Sequence, residues 1–155
     1  MKKIFNIMAA LLLAVISTSC LESNLEELEV YSGNDITGVS GVYYRYYGTD
    51  NIPGSGEVKV HQVTLNYGRF SADNEAGTCT FACQLPSNFP AAERANFSLS
   101  NVVVNINLST AATVRPIEGS PKFGVPGDWS KPNKYVVTAA NGSGKEWTCT
   151  LELVE

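Results

Sequence analysis

The sequence predicts an all-β domain of two packed antiparallel sheets, and three observations carry that prediction. No stretch sustains a 3.6-residue apolar period. β-Branched and aromatic residues dominate the apolar runs, and Gly, Pro, Asn and Asp divide the chain into about seven strand-length segments.

Taken in order, Ile36 to Tyr47 alternates loosely and ends in Val42-Tyr43-Tyr44-Arg45-Tyr46-Tyr47, which reads as a strand; Gly48 to Gly56, with Pro53, reads as a loop. Glu57 to Phe70 predicts one strand, with Val58, Val60, Gln62, Thr64 and Asn66 on one face and His61, Val63, Leu65 and Tyr67 on the other. Asp73 to Gly77 is a turn, and Thr78 to Leu85 returns as the second arm of that hairpin. Pro86 to Arg94 is irregular or a single helical turn, Phe97 to Leu108 a long strand, and Ala112 to Ile117 a short one. Pro121, Gly124, Pro126, Gly127 and Pro132 then forbid regular structure, so this stretch is a shaped connection that only Phe123 and Trp129 can anchor. Finally, Tyr135 to Ala139 and Glu146 to Leu153 flank Asn141-Gly142-Ser143-Gly144, the pattern of an antiparallel hairpin. This spacing of strands predicts an immunoglobulin-like sandwich, with a closed barrel as the alternative.

The N-terminus predicts export. Met1-Lys2-Lys3 is a basic start, Ile4 to Ile16 an apolar run shorter than a membrane span, and Ser17-Thr18-Ser19-Cys20 a small-residue cleavage site. A cysteine after small residues resembles a bacterial lipobox, which implies cleavage after residue 19 and acylation of Cys20; plain secretion with Cys20 incidental is the alternative. Residues 20–32 then form a lipidated tether whose Glu22, Glu26, Glu27 and Glu29 lack counter-charges, although Leu21, Leu25 and Leu28 leave a short helix open. Residues 33–155 form one domain. Loss of the signal removes Lys2 and Lys3 and no acid, so the mature chain is two units more negative than the −4 of the whole, which argues against nucleic-acid binding.

The stretch Gly124-x-Pro126-Gly127-Asp128-Trp129-Ser130-x-Pro132, with Tyr135-Val136-Val137-Thr138-Ala139 after it, resembles the last strands of Ig-like domains in Bacteroidota surface lipoproteins of unknown function. The acidic tether is similar to the signal that sends such lipoproteins to the outer face of the outer membrane. The resemblance implies a cell-surface accessory protein, anchored in the outer membrane by lipid and facing the exterior, often linked to glycan capture. It supplies no site residues.

Chemistry is sparse. One histidine, His61, sits in a predicted strand with no acidic neighbour in register, so a hydrolytic or metal site is hard to assemble, and we expect no catalytic residues, metal or cofactor. Asp50, Asp73, Glu75 and Asp128 fall in turn contexts, where Asp caps its own backbone. Within the tyrosine run, Tyr43, Arg45 and Tyr47 share one strand face and Tyr44 and Tyr46 the other. Arg45 argues that its own face is outward, since an unpaired buried guanidinium is costly. Tyrosines on that face can stack on a sugar ring while Arg45 bonds its oxygens, making Tyr43, Arg45 and Tyr47 the candidate ligand site. Docking of another surface protein through a strand edge is the alternative. Trp147 alternates with Cys149, Leu151 and Leu153 as a core residue, and Trp129 plugs its loop. Cys79, Cys83 and Cys149 allow at most one internal bridge: Cys149 to Cys79 or to Cys83, or else three buried free thiols.

Overall fold

In the computed structural model, residues 30–154 are described. The signal peptide, Cys20 and most of the expected tether lie outside the described residues. Among the described residues eight strands form two open sheets. β1 (Ile36–Asn51) lies between β2 (Val58–Thr64) and β5 (Val102–Leu108) in a three-stranded sheet. The second sheet has the order β3 (Asn66–Asp73), β4 (Thr78–Gln84), β8 (Gly144–Leu153), β7 (Asn133–Thr138) and β6 (Thr113–Ile117). The inner faces share one core: Val42, Tyr44, Val102 and Val104 from the first sheet with Phe81, Tyr135, Val137, Trp147 and Leu151 from the second. This is the layout of a β-sandwich; neither sheet closes into a barrel.

Four expectations are corrected. Glu57 to Phe70 is two strands, because the chain changes sheets at Leu65: Thr64 pairs with Tyr43 in one sheet, and Asn66 with Gln84 in the other. Leu65 is fully buried at the crossing, and its N–H donates to the Val42 carbonyl at 2.9 Å. A period-two pattern is the same for one long strand as for two collinear ones, so it carried no sign of this break. The strand expected from Phe97 begins at Val102 instead, preceded by a 3-10 turn over Leu99–Asn101 in which the Ser98 hydroxyl accepts from the Ser100 N–H at 3.1 Å. β1 runs on to Asn51, inside the expected loop, with a register shift between Tyr47 and Asn51.

The fourth correction concerns the expectation of antiparallel sheets throughout. β4 and β8 pair in parallel, with Cys79 opposite Cys149, Thr80 opposite Thr150 and Phe81 opposite Leu151. Each is the second arm of a hairpin, β3–β4 and β7–β8, and the hairpins abut through those arms. Gly77 serves both features: its φ of +64° closes the β3–β4 turn, and a Cβ there would collide with the Glu146 carbonyl of β8.

The Gly/Pro-rich connection is pinned as its residue types require. Asp128 Oδ1 accepts from the Ser130 N–H at 3.0 Å, and the buried Asn133 side chain donates to the Asp128 and Lys131 carbonyls at 2.9 and 3.2 Å. Trp129, fully buried, stacks near Phe123 and Tyr135, and its backbone N–H donates to the Leu99 carbonyl at 2.8 Å. Gly124 and Gly127 bond to Val104 and Val102, so the connection covers the outer edge of β5. Pro116, which has no N–H to give, lies in β6 at the other sheet's edge.

Candidate functional site

The site is built on the β1–β2 pair. Val42 and Tyr44 point into the core, and Val63 and Tyr46 pack against it. Alternation therefore turns Tyr43, Arg45 and Tyr47 of β1, with Val58, Val60, Gln62 and Thr64 of β2, to the outer face. The three candidate residues thus share the solvent side, as Arg45 argued. They differ in posture. The Tyr43 ring lies back over Gly41, where any Cβ would strike it, and Tyr43 is half-buried. Tyr47 stands free at 77% exposure, directly opposite Val60 at 53%. Between the two rings, Arg45 Nε donates to Gln62 Oε1 at 2.8 Å, which ties the guanidinium to the neighbouring strand. The four residue steps from Tyr43 to Tyr47 span about 13 Å of strand, longer than one pyranose ring. The face is therefore an aromatic and aliphatic strip with a clamped cation at its centre.

Behind it, the inner-face rings form a graded stack. Tyr44 is buried between Phe89 at 5.6 Å and Phe97 at 5.4 Å, Tyr46 lies 6.1 Å beyond, and His61 stacks on Tyr46 at 5.3 Å. Phe89 and Phe97 come from the Pro86–Asn101 segment, which covers this end of the sheet.

His61 does have an acidic neighbour, contrary to the register argument. Its Nε2 lies 2.7 Å from Asp50 Oδ1, and Lys59 Nζ is 3.5 Å from the other oxygen. The register shift after Tyr47 brings Asp50 round, and Gly48 leaves the space both side chains occupy. The hydrogen bond from His61, above all, holds the Asp50 carboxyl below its ordinary value. Asp73 accepts from the Glu75 and Ala76 N–H groups at 3.0 and 2.9 Å, an ordinary capped turn. Among the described residues no cluster of three or more His, Cys, Asp or Glu is arranged to hold a metal.

The tryptophans and cysteines belong to the core. Trp147 is buried and donates from Nε1 to the Asn34 carbonyl at 3.0 Å, while Lys145 Nζ sits 4.6 Å from its ring. Cys79, Cys83 and Cys149 are all buried, with the Cys79 and Cys149 sulfurs 3.1 Å apart.

Sequence reasoning missed one concave feature, a groove of about 530 Å³ beside β3, lined by Asn66, Tyr67, Arg69, Gln84 and Val154. The bulge between Tyr67 and Arg69, at Gly68, brings these side chains together. A lone glycine within a strand-like run was the signal that could have found it.

The DUF5018-related family model matches residues 36–150 of the chain. The crystal structure of a candidate secreted protein from Bacteroides fragilis NCTC 9343 is 43% identical, with a TM-score of 0.69, covering 82% of this chain and 100% of that one. A crystal structure of a candidate glycoside hydrolase from Bacteroides thetaiotaomicron VPI-5482 is 18% identical with a TM-score of 0.44, and the match covers 86% of this chain and 28% of that one. No curated protein matches the chain.

Proposed function

This chain belongs to the DUF5018-related family, and from that premise we propose that it is a non-enzymatic surface lipoprotein whose immunoglobulin-like sandwich captures glycans on the outer face of β1 and β2. The observation that carries the reading is Tyr47, held at 77% exposure beside Val60 and two register positions from the Arg45–Gln62 pair. A large ring left in water on a rigid strand favours an apolar ring face, and a pyranose offers one together with the oxygens that a guanidinium bonds. The chain's negative charge gives no general attraction to a neutral sugar, so stacking and a few oriented hydrogen bonds must supply the energy. Export is supported by the N-terminal apolar run and by the similarity to a candidate secreted protein. Anchoring in the outer membrane rests on Cys20.

A glycan array tests the reading. The wild-type protein should bind at least one class of oligosaccharide, and Tyr43→Ala with Tyr47→Ala should lose that signal at least tenfold while staying folded. Unchanged binding by the double variant would move the site elsewhere. A second reading is favoured by a specific observation: β2 is an edge strand carrying exposed Val58 and Val60, so a partner protein could add a strand there. A silent array would favour that docking role. For the anchor, Cys20→Ala should shift the protein from the membrane to the soluble fraction, because each buried CH₂ of an acyl chain contributes about 0.8 kcal/mol. Retention of the variant in the membrane fraction would contradict the lipid anchor.

A further inference from the structure

We infer that Cys79 and Cys149 are a disulfide pair that closes as the exported chain folds, leaving Cys83 the single thiol of the domain. The inference rests on the export reading for its compartment and on geometry for its connectivity.

The two residues stand opposite each other on the parallel β4 and β8 strands, with their sulfurs 3.1 Å apart and both side chains in the core. Neighbouring strands lie about 4.8 Å apart, inside the Cα separation that a disulfide spans, so side-chain rotation alone brings the sulfurs to bonding distance. Cys83 cannot take either place. It stands opposite Leu153, four residues along β4 from Cys79, or about 13 Å. An odd set of three exported cysteines therefore resolves into one pair and one remainder.

Burial dictates when the bond forms. In the folded domain Cys149 is held far above the usual thiol range, first by its hydrogen bond with Cys79 and then by burial, and burial raises Cys83 to about 11. A thiolate is the reacting species, so oxidation belongs to the stage before β8 docks on β4. The Cys149 thiolate attacks a sulfur of a disulfide oxidant of the export compartment, expelling one oxidant thiolate. The Cys79 thiolate then attacks the Cys149 sulfur, the Sγ–Sγ bond forms, and the second oxidant thiolate leaves. The oxidant departs as a dithiol, carrying the two electrons and the two protons. The covalent link falls at the junction between the two hairpins, where pairing is parallel and the intervening chain passes through the other sheet.

The test is peptide mapping of the full chain, isolated after export and alkylated in denaturant without reductant. We expect one Cys79–Cys149 cross-linked peptide, a mass lower by two hydrogen atoms, and alkylation at Cys83 alone. Reductant should lower the wild-type Tm by roughly 10 °C, and Cys83→Ala should behave the same. Cys79→Ala with Cys149→Ala should show no response to reductant. Three alkylated thiols in the exported protein would overturn the inference. Should fractionation show that the chain is not exported, refolding it with oxidised glutathione decides the pairing separately: a Cys79–Cys149 bridge upholds the geometry, and Cys79, Cys83 and Cys149 all free or glutathionylated overturn it.

Discussion

Trp147→Ala should cost about 3–5 kcal/mol of folding stability, a large part of the 5–15 kcal/mol of an ordinary domain. The indole is 1% exposed, on the β8 face that meets the core. Its removal leaves a cavity that rigid strands on either side cannot collapse into. It also removes the donor to the Asn34 carbonyl, the contact that fastens the lead-in to β1 across the molecule. Trp147→Phe separates the two effects, keeping most of the packing and losing about 1–2 kcal/mol with the hydrogen bond. Urea unfolding of the three proteins checks this. A loss below 1 kcal/mol for the alanine variant would mean that Trp147 is not a core anchor.

The second large effect contrasts adjacent tyrosines. Tyr44→Ala should destabilise by a similar ~3–5 kcal/mol, because Tyr44 is 4% exposed and touches Tyr46, Phe89 and Phe97 at once. Its loss would detach the Pro86–Asn101 segment from the sheet. Tyr47→Ala, one strand face away, should change stability by less than about 0.5 kcal/mol. Thermal unfolding of both variants measures the difference. Equal losses would mean that the two faces are not divided as described.

Much of this division was legible in the sequence. Period-two alternation and the charge of Arg45 placed Tyr43, Arg45 and Tyr47 on the solvent face, and the alternation of Trp147 with Cys149 and Leu151 placed those residues in the core. The glycine- and proline-rich connection also read correctly, because Pro126, Gly127 and Asp128 restrict the backbone locally. What failed was non-local. The change of sheet at Leu65 leaves the alternation intact, and the parallel pairing of β4 with β8 depends on how two hairpins meet, for which no local residue codes. The His61–Asp50 contact depends on a register shift that sequence spacing does not reveal. The groove beside Gly68 required a bulge to be recognised within an otherwise regular strand.

Sugar binding by the outer face of β1 and β2 is tested by titration calorimetry of the wild-type protein against a broad set of neutral and acidic oligosaccharides. Saturable heat is expected with at least one glycan, little changed between low and high salt, and lost in a folded Tyr43→Ala, Tyr47→Ala variant. No heat from the wild-type protein with any glycan would contradict it.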